Sequence, residues 1–177
     1  MGNVIVIGGG AAGLMAAYAA ASRGQRVVLL EKNEKLGKKI YITGKGRCNV
    51  TNDCPPEEFL ANVVRGGKFL TRAAYAFPPS RTMAFFEEQG LPLKVERGNR
   101  VFPVSDHASD VTKTLERACL RVGVEIRFGE TALEIERREN AVCAVRTEKA
   151  RCECDSVIVA TGGLSYPSTS PSGYGSS

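Results

Sequence analysis

The chain has 177 residues, and 24 Lys plus Arg against 19 Asp plus Glu leave a formal net charge of +5 with the single His neutral. With 43% hydrophobic and 24% charged residues the composition is that of an ordinary globular chain, which excludes disordered and collagen-like classes. No apolar run reaches the roughly 20 residues a bilayer span needs, and no signal peptide opens the chain, so a cytoplasmic protein with no membrane partner is expected.

Asn3 to Ile7 (NVIVI) reads as a buried parallel strand. Gly8-Gly9-Gly10-Ala11-Ala12-Gly13 follows at once and matches G-x-G-x-x-G. An Ala-rich stretch from Ala11 to Arg23 predicts a helix ended by Gly24, and Arg26 to Leu30 predicts a second strand closing on Glu31. Gly8 permits the tight turn, Gly10 lets the backbone approach a pyrophosphate, and Gly13 lets the helix pack on the strand. The first-turn N–H groups at Ala11 and Ala12 and the helix dipole then face the anion. Glu31 lies 18 residues past Gly13, where a carboxylate accepts hydrogen bonds from ribose hydroxyls. It also repels a 2′-phosphate, so this loop suits NAD or the ADP half of FAD, and it does not separate the two.

Lys32 to Asn52 is expected to be irregular. Lys32, Lys35, Lys38, Lys39, Lys45 and Arg47 concentrate positive charge within 16 positions, with only Glu34 opposing them. A field of that sign beside a phosphate loop suits a second phosphate, a negatively charged flavin or an anionic substrate. Elsewhere the basic residues form doublets, not a stripe interleaved with aromatics, so no nucleic-acid partner is expected.

Further on, Glu57 to Val64 and Lys68 to Phe77 predict short helices, and Ser80 a cap for a helix over Arg81 to Gln89. Leu93 to Glu96 and Arg100 to Pro103 flank Arg97-Gly98-Asn99 as a hairpin. Together they form a helical and hairpin excursion over about residues 53–105. Apolar residues at helical spacing from Ala108 to Val122 predict a helix packed on the sheet, followed by a parallel strand at Val124 to Phe128. His107 reads as a solvated helix-start residue.

Thr131 to Arg138, Ala141 to Thr147 and Arg151 to Cys154 predict a three-stranded antiparallel meander. Its Cys152-Glu153-Cys154 is the only close pair among six cysteines, expected to send its thiols to opposite faces of a strand. With no second pair or His cluster, no metal site is expected. Ser156 to Ala160 reads as a buried parallel strand running into Thr161-Gly162-Gly163, where two glycines allow close backbone approach to a ligand. Ser168 to Ser177 has no apolar period and reads as a flexible tail, which leaves residues 1–167 as the domain.

The glycine loop followed by Gly44-Lys45-Gly46-Arg47-Cys48-Asn49-Val50-Thr51-Asn52 resembles the NAD(P)/FAD-dependent oxidoreductases of the BaiN/RdsA type, some of them described as aminoacetone oxidases. The resemblance continues through Arg100 to Ser105, Ala108 to Val111, and Ala160 to Gly163 with Ser165-Tyr166-Pro167. It implies a Rossmann-type FAD-binding α/β domain with a parallel sheet, the antiparallel meander and a small helical excursion. The loop after the acid, with Lys32 and Lys38 among its cofactor-binding residues, then wraps the pyrophosphate and approaches the isoalloxazine at Lys45 to Asn49, Gly46 included. Arg47 would stabilise negative charge on reduced flavin, Asn49 would be a hydrogen-bond partner, and Cys48 would pack beside them. Ala132 and Leu133 would present backbone groups to adenine, and Ala160, Thr161 and Gly162 would lie against the cofactor.

Members of that family run to more than twice this length, so the chain reads as a truncated or split member that lacks a C-terminal half. The implied function is the N-terminal FAD-binding part of a flavin-dependent oxidoreductase, with NAD(P)H as reductant and a small-molecule substrate in the complete protein. Two alternatives stand beside it. One is a non-catalytic or split fragment that binds FAD only with a partner chain. The other is a nucleic-acid-binding module using the Lys32 to Arg47 segment.

Overall fold

The computed structural model describes residues 2–163. In chain order its elements are β1 (Asn3–Ile7), α1 (Ala11–Ala21), β2 (Arg26–Glu31), α2 (Lys38–Ile42), a 3-10 turn (Thr43–Gly46), β3 (Thr51–Asn52), α3 (Pro56–Ala61), α4 (Gly67–Ala76) and α5 (Pro79–Glu88). Then come β4 (Leu93–Glu96), β5 (Arg100–Pro103), α6 (Ala108–Arg121), β6 (Glu125–Phe128), β7 (Ala132–Arg138), β8 (Ala141–Thr147), β9 (Arg151–Glu153) and β10 (Ser156–Val159). They fall into two compact units, one built from the chain up to Lys39 and from Leu115 onward, the other from Ile40–Thr114. The second unit is wider at both ends than the excursion expected over 53–105.

The first unit holds a parallel sheet in the order β10-β1-β2-β6. Its two central strands are almost wholly apolar because parallel strands are covered on both faces. Ile5, Val6, Val27, Leu29 and Leu30 are fully buried, joined by Leu14 from α1. The meander β7-β8-β9 is antiparallel as expected, and its Ala132, Val145 and Cys154 pack with Ile5, Ile7 and Leu30. Cys119 on α6 is fully buried, and its thiol donates to the Leu14 carbonyl at 3.2 Å. Burial pushes that thiol up to about 11, so it acts as a small core side chain.

Several expectations change in this unit. β10 was expected to be buried, but it is the sheet's edge among the described residues, and Val159 is 62% exposed. Cys152 and Cys154 face the same core cluster, because residues two apart on a strand share a face. The Ala-rich helix stops at Ala21, one turn before Gly24, whose φ of +80° accommodates the reversal. The expected tail at 168–177 and the Ser165-Tyr166-Pro167 motif lie outside the described residues.

The second unit is built around the sheet β3-β5-β4. The predicted hairpin is present, pairing Leu93 with Pro103 and Glu96 with Arg100, and Thr51–Asn52 adds a third strand. Lys38–Ile42 is a helical turn where an irregular segment was expected. The helix at α5 starts at Pro79 instead of being capped by Ser80, because proline's missing N–H leaves no donor unsatisfied in a first turn.

Leu29→Ala is expected to lower stability by about 2–5 kcal/mol through loss of packing in a fully buried position. Leu120→Ala, at a position 54% exposed on α6, should stay within about 0.5 kcal/mol of the parent in the same urea titration.

Candidate nucleotide-binding site

The turn from β1 to α1 is shaped by what its glycines lack. A Cβ on Gly13 would run into the carbonyl oxygen of Gly8, and one on Gly8, whose φ is +108°, would meet the carbonyl of Ala160. Helix and strand can therefore approach only without side chains there. Gly9, a position the motif leaves open, is also constrained: a Cβ would strike Leu36 and come within 3.0 Å of Glu31 Oε2. Gly10 differs from all three, since nothing lies within 4 Å of its would-be Cβ. It is the N-cap of α1 with no side-chain cap, and Ala11 and Ala12 in the first turn are exposed.

Glu31 ends β2, is 7% exposed, and is held by three donors. Its Oε2 accepts from the Gly9 N–H at 2.8 Å, while Oε1 accepts from the Asn33 backbone N–H at 2.8 Å and from Asn33 Nδ2 at 2.5 Å. Lys38 Nζ donates to Asn33 Oδ1 at 2.6 Å, and Lys39 Nζ donates to the Gly163 carbonyl at 2.6 Å. Ala160 donates to the Ile7 carbonyl, and Gly162 follows it with φ of +80°. Thr161 lies between them. Ala132 is buried at the start of β7, and Leu133, which follows it, is 50% exposed. Lys32 is half-buried, between Glu31 and Asn33.

In the second unit the Gly44 to Asn49 segment takes an unusual path, with Gly44, Lys45, Gly46 and Cys48 all at positive φ. Its anchor is Arg47. The guanidinium stacks over the Phe102 ring at 4.2 Å, Nη2 pairs with Glu96 at 2.5 Å, and Nε donates to Asp106 Oδ1 at 2.8 Å. Lys94 Nζ takes the other Asp106 oxygen at 2.7 Å. Lys94, Glu96 and Phe102 share one face of the hairpin, since Lys94 pairs with Phe102 and Glu96 is two residues on.

Two residues expected at the flavin also have partners within the protein. Arg47, expected to stabilise charge on a reduced flavin, is paired with two carboxylates. Asn49, expected to bond the flavin, donates from Nδ2 to the Thr51 and Val101 carbonyls at 2.7 and 3.1 Å. Both residues hold the path of the loop. Cys48 is buried, and desolvation pushes its thiol up, which suits packing better than redox chemistry. Gly46 is exposed.

The electrostatics of the clamp follow from its hydrogen bonds. Those from Lys94 and then Arg47 hold Asp106 below the usual carboxylate range, and the one from Arg47 does the same for Glu96. Arg47 is pushed up, chiefly by Glu96. Sequence reasoning missed Gly9, Asn33, Lys94, Glu96, Phe102 and Asp106. The i, i+2 pairing of Lys94 with Glu96 on a predicted strand was the one available signal.

A strand, a glycine turn with one open and three close-packed positions, an uncapped helix start and an acid ending the next strand define a Rossmann-type dinucleotide-binding domain. Residues 2–177 match the HI0933-like protein Rossmann domain, and the chain belongs to that family. It is 37% identical over 179 residues to a 3-dehydro-bile acid delta(4,6)-reductase of Clostridium scindens, covering 99% of this chain and 42% of that protein. It is 29% identical over 176 residues to a ribosomal RNA dihydrouridine synthase of Haemophilus influenzae, covering 96% of this chain and 43% of the relative. The chain thus spans about two fifths of the length of the curated relatives it matches. An open-conformation flavocytochrome c3 fumarate reductase shares the fold, with a TM-score of 0.71 at 22% identity over 92% of this chain and 34% of that one. The resemblance read from the glycine loop and the GKGRCNVTN segment is therefore correct. No helix among the described residues is long and apolar enough to cross a membrane.

Because Asp106 and Glu96 sit below their unfolded values, their contribution to stability is present above the ordinary carboxylate range and lost as pH falls through the depressed values. Thermal melts should stay level from neutral pH to about pH 5 and drop below about pH 4. Asp106→Asn should lower the neutral-pH melting temperature and flatten that acid limb.

Proposed function

We propose that the complete protein is an FAD-dependent oxidoreductase and that this chain binds the ADP half of the cofactor. The observation that carries the reading is the contrast among the loop glycines: three are closed against protein, and Gly10 alone opens onto the N-terminus of α1. That open space supports a pyrophosphate there, with the N–H groups of Ala11 and Ala12 as donors and the helix dipole behind them. Glu31 Oε2 has one protein donor and a lone pair left for a ribose hydroxyl. Backbone groups at Ala132 and Leu133 are assigned to adenine, and Lys32, Lys38 and the Ala160 to Gly162 backbone to the surroundings of the phosphates. In the second unit Gly46, Cys48 and Asn49 are assigned to the flavin end, with Arg47 holding their backbone path.

FAD, when bound, supplies two-electron chemistry at its ring, and the residues of this chain bind and orient it. NAD(P)H as the electron donor and a small-molecule substrate complete the proposal. The 37% identical relative is named for a bile acid and the 29% identical one for ribosomal RNA, and the higher identity supports a small molecule. The remainder of the relatives' length is assigned to substrate binding and closure over the flavin, whether in the same polypeptide or in a partner chain. A nucleic-acid role for the Lys32 to Arg47 segment has less support, because Lys38, Lys39 and Arg47 are each engaged by protein acceptors. The protein is proposed to work in the cytoplasm.

Gly10→Ala tests the site directly. The residue's φ of −80° suits alanine and the space is open, so the melting temperature should be unchanged. FAD affinity, read by quenching of flavin fluorescence, should fall by about tenfold or more as the methyl meets the pyrophosphate. A parent protein that neither quenches nor retains FAD would sink the proposal. Anaerobic addition of NADH and NADPH to the FAD-loaded protein, followed by flavin bleaching, identifies the donor.

A further inference from the structure

Asn33 has no place in the glycine motif, and its side chain is the most constrained polar group next to Glu31. Lysine is a donor only, so the 2.6 Å contact from Lys38 Nζ fixes Oδ1 on its side and turns Nδ2 toward the carboxylate. Nδ2 and the Asn33 backbone N–H then both reach Glu31 Oε1. Two donors fill that oxygen's lone pairs. Oε2 is left with the single Gly9 donor, and it is the oxygen with capacity for a further hydrogen bond. The Asn33 carbonyl is itself tied down, accepting from the Gly129 N–H at 3.2 Å, and the Glu31 carbonyl accepts from Glu130 at 3.1 Å. The amide is therefore carried on a fixed backbone, and the direction in which Glu31 presents its free lone pair is set by Asn33 and, through it, by Lys38.

We propose that Asn33 is a positioning residue for nucleotide recognition: held by Lys38, it occupies one Glu31 oxygen so that the other is aimed at the hydroxyls of a ribose. The inference rests on the reading of this site as one for an adenosine diphosphate moiety. It goes beyond that reading by assigning the orientation of the acid to a side chain outside the loop, and by linking a surface lysine to nucleotide selectivity. Without the amide, the carboxylate keeps its charge and its burial but gains rotational freedom, so contact with the hydroxyls weakens while the phosphate contacts of the loop stay as they are.

The test uses the full chain freed of flavin and two probes, ADP and its 2′,3′-dideoxy analogue, with affinities measured by calorimetry. In Asn33→Ala, ADP affinity should fall about tenfold, and affinity for the dideoxy analogue should stay within about twofold of the parent, because that ligand makes no hydroxyl contact to lose. Lys38→Ala, at an exposed position that does not threaten folding, should weaken both probes through the charge lost near the phosphates and weaken ADP by about threefold more than the dideoxy analogue through the loosened amide. Equal losses for both ligands would assign Asn33 a general structural role and overturn the proposal, as would unchanged ADP binding in both variants. A parent chain that binds neither ADP nor FAD rejects the site itself, a result distinct from binding that ignores Asn33.

Discussion

The absence of a Cβ at Gly13 sets the geometry of the first unit. With the Gly8 carbonyl directly beneath it, α1 can lie against β1 only because no side chain intervenes, and that closeness brings the start of the helix over the end of the strand. Gly9 then sits near enough to β2 for its N–H to reach Glu31, and the Gly37 N–H closes back on the Gly9 carbonyl at 2.8 Å. One steric permission thus fixes turn, acid and following loop together. The central strands supply the counterpart: Ile5, Leu29 and Leu30 are fully buried, so the turn is mounted on the least deformable part of the sheet.

Much of this was legible in the sequence because the relevant signals are local. A β-branched run, a glycine pattern, an alanine helix and a second apolar run follow one another without gaps, and each reports its own conformation. The hairpin at Arg97-Gly98-Asn99 was legible for the same reason, with Gly98 and Asn99 both at positive φ. β10 was misread because SVIV carries the composition of a covered strand, and composition does not say whether a neighbour lies on each side. The start of α5 was misplaced because Ser80 and Pro79 are both good helix-start signals, and proline at the first position prevailed.

The site divides along the same line. The placing of Gly8, Gly10, Gly13 and Glu31 around one turn could be read from spacing, since that turn is contained within the motif. Arg47 and Asn49 could be named, but their protein partners could not, because what they touch lies some 50 residues away in sequence, at Glu96, Val101 and Asp106. A basic residue beside a phosphate loop invites an electrostatic reading. Only tertiary structure shows that two carboxylates already balance it.

The clamp on Arg47 also changes what the GKGRCN segment is as a unit of inheritance. Its arginine meets a carboxylate on each side and an aromatic face beneath, a fit that depends on a planar guanidinium and that a lysine ammonium cannot reproduce. The motif is therefore discontinuous: six adjacent residues written near the start of the chain are completed by an acid on β4, a ring on β5 and an acid just before α6. Among related chains, exchange of Arg47 should be accompanied by change at positions 96 and 106. A sequence keeping the short block but losing both acids would carry an unbalanced cation where this protein has a neutral joint, and its loop would have to find another path.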